Sequence, residues 1–572
     1  MDARKPDRTT EALLALALIV PWLFIWQGLD FTDQGYLLTT YRCFLRYPET
    51  TPDAGTFWLT SFVGAVWDWV WGRFGVVGMR ALWATCSSVG LLLSFRLVAR
   101  VSSERAASLA LVAASVFLSD RRETWFSYNT SSSVLFVGTA TCLVGGIALQ
   151  RRSLLLATGA LIGVLPFARI PNVLAVALLA APVLGALLEA PRRKRLVGDL
   201  AVMLGGVALG VAGMLSLIHA LGHSPLFFQA IKDLFAPGME DAGYGTDKLI
   251  VSFFRDNARA LAWGLGTCAA GTVLARALAV LPKRVGWLLI AVVSALGGYG
   301  LSGTDELWSV VVPGTAYWLL GGVVLGLGRG SSELRAHAFV ALVVLVIAPL
   351  GSNNGILNAH VGLWLALPLV LSVIGSVHAK WLVGQGPKLA VIAGLVLGGE
   401  GLHRAATYTY RDAPRIELVA RVRDRQLRAQ LTTPARAKVV TEVLQALKQR
   451  VAPGDYLLAY EGTPLLQYLT RTRPYLNRAW LMGAAESATE IKRIAAAAPR
   501  RTGCLPVVVS TRQSTRGAGW PQNPRGLEKR TVQRRVRKVI GAFLREHDYK
   551  RTWSNDFFEI LEPPARRSGA CR

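Results

Sequence analysis

The chain has 572 residues, of which 52% are hydrophobic and only 17% charged, and it carries a net charge of +27. Those proportions exclude an ordinary soluble enzyme, because apolar runs of membrane-spanning length recur between short charged loops. The six cysteines are scattered without a CxxC or a paired histidine, which argues against a zinc site.

In chain order, thirteen spans are expected, near 12–29, 76–97, 106–119, 129–149, 154–168, 172–190, 198–220, 258–280, 285–302, 307–328, 336–351, 359–377 and 386–402. The first begins at about Leu13 and is followed by no small-residue cleavage site, so it reads as a retained span. Alternate loops differ in basic residues, with nineteen Lys/Arg in the set containing the N-terminus against nine in the other. The positive-inside rule then places the N-terminus in the cytoplasm, and the 30–74 loop and the C-terminal tail outside. The last span is the weak point, since Leu389–Gly399 is short and Glu400 follows at once. Cys86, Cys142 and Cys268 fall in apolar runs, and a disulfide among Cys43, Cys504 and Cys571 is the less favoured reading.

The loop after the first span concentrates the chemistry. Asp30, Asp33, Glu49, Asp53 and Asp68 stand beside Arg42 and Arg46 at a water–lipid boundary, where charge is costly unless it meets water or a partner. Tyr36, Leu37, Thr40, Tyr41 and Phe44 recur at helical spacing, and a second segment runs through Trp58, Trp67, Trp69 and Trp71. Two short interfacial helices account for both. The tryptophans also suit a plain aromatic belt. Asp33 also suits a helix N-cap, a role compatible with catalysis.

Further along, Ser119-Asp120-Arg121-Arg122-Glu123 faces the same side, where Asp120, with Glu123, is the candidate second carboxylate and a solvated turn is the favoured alternative. Tyr128 and Asn129 follow it. Arg169 lies between two apolar runs and requires an anion, an internal partner or a route to the interface. His223 sits in a long mixed-charge loop, and Asn353 and Asn354 belong to a polar turn with Asn358 and His360. Tyr36, Tyr128, Asn129, His223, Asn353 and Asn354 are the candidate cleft residues.

From His403 onward the chain holds 33 Lys/Arg against 14 Asp/Glu, so most of the basicity belongs to the tail. Attached to a membrane domain, such a tail suits anionic headgroups or glycan rather than nucleic acid. It reads as a small α/β domain, with strands at Tyr456–Tyr460, Val507–Ser510 and Phe557–Leu561 and a basic helix at Glu528–Glu546. The fold class is thus an α-helical polytopic membrane protein, residues 1–403, with a C-terminal soluble α/β domain, residues 404–572.

Asp33-Gln34-Gly35-Tyr36, the linker with Pro48 and Pro52, and the segment ending Trp71-Gly72-Arg73-Phe74-Gly75 resemble the first loop of GT-C-type membrane glycosyltransferases. The resemblance is to the protein mannosyltransferase and aminoarabinose transferase branch. Phe167-Ala168-Arg169-Ile170-Pro171-Asn172 resembles that family's paired short helices with a basic apex, and Glu461–Thr470 resembles its outer domain. The resemblance implies a sugar carried on polyprenyl phosphate, with Asp33 as base, Arg169 at the donor phosphate, and membrane lipid around the protein. The acceptor would be a lipid, glycan or protein on the outer face of the cell (inner) membrane. The family's acidic pair is Asp33-Gln34 here, which weakens metal binding and leaves a divalent metal open. An O-antigen ligase or polymerase, a lipid or solute transporter, and a non-catalytic scaffold are the alternatives.

Overall fold

The computed structural model describes residues 7–119, 123–188, 190–234, 246–301, 307–326, 331–350, 354–376, 384–481, 488–523, 525–527 and 531–564. A helix stands at each of the thirteen expected segments. Seven helices among the described residues are long and apolar enough to cross a membrane. Two shorter apolar helices, Arg152–Ala168 and Ser309–Val324, accompany them.

Local sequence explains several boundaries. The first helix, Arg8–Ile19, is capped by the Asp7 carboxylate, which accepts from Thr10 N, and it tightens into a 3-10 turn where Pro21 removes a backbone donor. Glu400 does not end the last helix, Gly386–Thr407, because it is fully buried and stands 4.0 Å from Arg404 one turn on. Arg152–Ala168 and Leu196–Ala220 pack backbone to backbone. A Cβ on Gly159 would stand 2.0 Å from Met203 O, and one on Gly210 2.2 Å from Ala160 O. Small residues four apart permit that approach where lipid supplies no hydrophobic drive.

Residues 30–74 hold two helices, Asp33–Phe44 and Trp58–Trp71, joined by 3-10 turns at Pro48 and Pro52. Trp69 and Trp71 are exposed, whereas Trp58 is buried.

The tail contains a five-stranded sheet ordered Arg473–Pro474, Tyr456–Ala459, Val507–Thr511, Phe558–Glu562 and Lys550–Ser554. The first three strands are parallel and the last two antiparallel additions. The helices Pro434–Lys448, Leu465–Thr470, Ala488–Thr502 and Thr531–Glu546 pack around it. Cys43 is free, but Cys504 is disulfide-bonded, which reverses the reading against a bridge. Sequence distance carried that reading, and folding overrides sequence distance.

The tail does not hang behind the membrane part. One hydrophobic core joins Phe24, Leu29, Phe31 and Leu38 to Val443, Leu466, Phe558 and Ile560. Phe31 meets Trp520 edge-on at 5.3 Å. Each such large side chain contributes about 1.5–3 kcal/mol on burial.

Candidate active site at the junction of first loop and tail

Asp33 opens the Asp33–Phe44 helix, but its carboxylate does not cap it. Asp30 does that work: Oδ1 accepts from Thr32 N at 2.9 Å and Thr32 Oγ1 at 2.6 Å, and Oδ2 accepts from Gln34 N at 2.7 Å. Asp33 is therefore released to face outward, with a third of its side chain exposed.

Its partners come from the linker that follows the last membrane helix. Tyr410 Oη donates to Asp33 Oδ2 at 2.5 Å, and Arg411 Nη2 stands 2.8 Å from the same oxygen. Arg411 also donates to Thr32 Oγ1 and lies 3.8 Å from Asp30. Both Asp33 contacts fall on Oδ2, and no hydrogen bond reaches Oδ1 among the described residues. Burial, together with the Asp33 charge, pushes the Tyr410 hydroxyl well above its ordinary value, so it stays a donor.

The linker is itself pinned. Arg411 takes a left-handed backbone, φ 55°, and its carbonyl accepts from Arg436 Nη1 at 3.0 Å. The same guanidinium pairs with Asp412 at 2.5 Å, both side chains being fully buried. Asp412 Oδ2 accepts from Leu29 N and Thr432 Oγ1, each at 2.8 Å, which ties linker, first loop and tail together. Arg436 also lies over the Trp520 ring at 4.1 Å.

A row of aromatic rings leads away from Asp33. Arg411 stands 6.0 Å from Trp480, Trp480 6.1 Å from Tyr36, and Tyr36 6.3 Å from Phe57. Phe57 is 5.6 Å from Tyr128, and the Arg169 guanidinium lies 5.9 Å over Tyr128. Four of the expected residues, Asp33, Tyr36, Tyr128 and Arg169, thus lie along one wall. Arg169 is buried at a break between helices, and Nη1 donates to Ala348 O at 3.0 Å, past the C-terminal end of the Ser332–Ile347 helix. That end carries partial negative charge and fixes the guanidinium.

The other expected residues are placed elsewhere. Asn129 donates to Glu123 Oε1 at 2.9 Å, and both line a small cavity of about 30 Å³ with Ser87, His360, Trp83 and Trp364. His223 is buried against Phe44 and accepts from Trp58 Nε1 at 3.3 Å; burial lowers its basicity. It packs the interfacial helices against the Ser224–Leu234 helix rather than joining Asp33. Asn354 lines an open cleft with Asp256, Arg259 and Ser309. Asp120 and Asn353 lie outside the described residues.

Among the described residues the donor set around Asp33 does not fit a divalent cation. The neighbouring Gln34 offers an amide rather than a second carboxylate, and its Oε1 accepts from Arg80 at 2.8 Å. Arg411 already places positive charge against Asp33. Among the described residues no three His, Cys, Asp or Glu side chains are grouped for a metal.

Sequence reasoning missed Tyr410, Arg411, Arg436 and Trp480. Tyr410-Arg411-Asp412 follows the last span directly, on the same expected face as Asp33, and that position was the available signal.

No protein-family model matches the chain. Over 137 residues, 23% of its length, it is 31% identical to the phosphate transport system permease protein PstC of Xylella fastidiosa (strain 9a5c), and it spans 40% of that protein. Among solved structures it is similar to ArnT from Cupriavidus metallidurans bound to undecaprenyl phosphate, at 13% identity and a TM-score of 0.43, over 96% of this chain and 97% of that one. It is also similar to the archaeal oligosaccharyltransferase AglB from Archaeoglobus fulgidus in complex with an inhibitory peptide and a dolichol-phosphate. There the identity is 12% and the TM-score 0.47, over 88% of this chain and 69% of that one.

Proposed function

We propose that the chain is a membrane glycosyltransferase that moves a sugar from a polyprenyl-phosphate carrier to an acceptor hydroxyl on a lipid, glycan or protein. The observation that carries this reading is the division of labour on Asp33: Oδ2 is held by Tyr410 and Arg411, while Oδ1 has no donor among the described residues. A carboxylate fixed through one oxygen and open at the other suits a general base.

In the proposed reaction the acceptor oxygen attacks the anomeric carbon and passes its proton to Asp33 Oδ1. The bond from that carbon to the phosphate oxygen breaks, and the electron pair leaves on the polyprenyl phosphate. Arg169, held rigid by backbone carbonyls, is assigned to the growing phosphate charge. Attack opposite the phosphate inverts the anomeric centre in one step and needs no covalent intermediate. With Arg411 at the base and Arg169 at the leaving group, the reading routes no step through a metal.

We place the site and the tail outside the cytoplasm. The uneven loop charge supports this, and so does the bonded Cys504, since disulfides persist in oxidising compartments.

The decisive experiment supplies purified full-length protein with polyprenyl-phosphate sugars and an acceptor extract, and follows donor consumption. Wild type should release polyprenyl phosphate, and Asp33→Asn should not, with an unchanged melting temperature. Equal turnover by the variant sinks Asp33 as base.

A further inference from the structure

The stretch from Arg415 to Thr432 follows the last helix, Gly386–Thr407, and folds back against the first loop. A short hairpin forms where Ala420–Arg421 pairs antiparallel with Leu431–Thr432. Leu431 N donates to Trp26 O at 2.8 Å, and Gly28 N donates to Leu431 O at 2.9 Å, so the hairpin base is tied to the exit of the first apolar segment. Its tip is tied to the entry of another span, since Val76 N donates to Gln426 O at 3.0 Å at the start of the Gly75–Val98 helix. The approach is backbone to backbone: Gly75 has φ 66°, and a Cβ there would stand 1.9 Å from Gln426 O. The tip carbonyl thus satisfies one of the orphan donors of that helix. These bonds fix the hairpin between the exit of the first apolar segment and the start of the Gly75–Val98 helix.

Its side chains sort by burial. Val422, Asp424, Gln426 and Leu427 are buried, and Arg421, Arg423, Arg425 and Arg428 are exposed. None of the four arginines makes an ion pair among the described residues, and the intervening Asp424 is taken by Lys448. Just before them Ile416 and Val419 are 73% and 69% exposed. Apolar side chains beside uncompensated arginines at the ends of spans match an anionic headgroup layer. The tail's other basic surface, on Thr531–Glu546, packs over a separate core within the tail, and no hydrogen bond joins it to a span among the described residues.

We propose that Arg421, Arg423, Arg425 and Arg428 form a binding site for the phosphate groups of anionic phospholipid. The site anchors the tail to the leaflet that Asp33 faces. This inference stands apart from the glycosyltransferase reading, because it rests on the placement of the hairpin alone.

The test uses full-length protein in phosphatidylcholine vesicles containing phosphatidylglycerol, with spin-labelled versions of each lipid reporting relative association. A preference for phosphatidylglycerol that weakens with salt is expected. Each single Arg→Gln change should reduce it by up to roughly fivefold, the worth of one basic residue near an anionic surface. The quadruple variant should lose it while keeping its melting temperature. An unchanged preference in the quadruple variant overturns the proposal, as does loss only in Arg534→Gln/Arg535→Gln/Lys538→Gln. Retention on an anionic-glycan matrix that the quadruple variant loses, with lipid preference intact, overturns it in favour of a glycan site.

Discussion

Two carboxylates three residues apart on one loop, Asp30 and Asp33, have opposite surroundings. Asp30 is 1% exposed, and both of its oxygens accept from the turn that starts the Asp33–Phe44 helix. Asp33 is a third exposed, with one oxygen held and one open. Both lie within 4.0 Å of the same guanidinium, Arg411. What separates them is how many lone pairs the protein has already used. A fully satisfied carboxylate builds the loop, and the half-satisfied one is the base we propose. The knot around Asp412 and Arg436 belongs with Asp30, because its charges are buried and matched.

The sharpest way to break this contrast is to exchange the consequences of the two residues. Asp33→Asn should lower kcat by about 10²–10⁴, the usual worth of a positioned base, with little change in melting temperature. Asp30→Asn should do the reverse: it costs about 1–3 kcal/mol of stability, since an amide nitrogen cannot accept from Gln34 N, and leaves turnover per folded molecule nearly intact. If both variants lost activity alike, the division of roles would fail.

Arg436→Met tests the knot. It leaves Asp412 buried with its charge unmatched, so a loss of about 3–5 kcal/mol is expected by chemical denaturation in detergent. A weaker effect follows from Tyr410→Phe, which removes one donor from Asp33 Oδ2. Turnover should fall roughly ten- to a hundredfold with KM nearly constant, in line with one hydrogen bond to a charged group. An unaltered kcat would mean that the orientation of Asp33 does not matter to the reaction.

The membrane architecture was legible because composition alone marks a span, and each expected segment carries a helix. Asp33 stood out as a candidate because a charge at a boundary demands a reason. Its partners were not, since Tyr410 reaches it across 377 residues and no local pattern reports such a contact. The joint core was hidden for a similar cause. Leu465, Leu466, Tyr468 and Leu469 are all buried, so their short helix lacks the one-sided pattern that would have shown a surface partner. Chain order sets the tail apart as residues 404–572, and it reports none of the contacts across that boundary, where Leu465 N donates to Phe31 O at 3.2 Å and Thr39 Oγ1 to Pro464 O at 2.9 Å. The bridge at Cys504 was likewise invisible to spacing.

The smallest effect is a pH dependence that should separate the two carboxylates without removing Asp33. Burial, and secondarily the nearby Asp33 charge, push the Asp30 carboxyl above its ordinary value of 3.8, while Arg411 opposes the change. A group whose value is raised on folding binds its proton more tightly in the folded chain than in the unfolded one. Its contribution to stability is therefore complete below about pH 3.8 and is lost as pH rises through the raised value. Asp30→Asn removes that titration. The difference in unfolding free energy between wild type and Asp30→Asn should thus widen as pH falls from neutrality toward 4. The widening is on the order of 1 kcal/mol for each pH interval of one over which Asp30 is protonated only in the folded chain. Parallel denaturation curves at several pH values read it directly. A difference that stayed flat would mean that Asp30 keeps its charge in the folded protein as easily as in water. In that case burial would not be what divides the structural carboxylate from the proposed base.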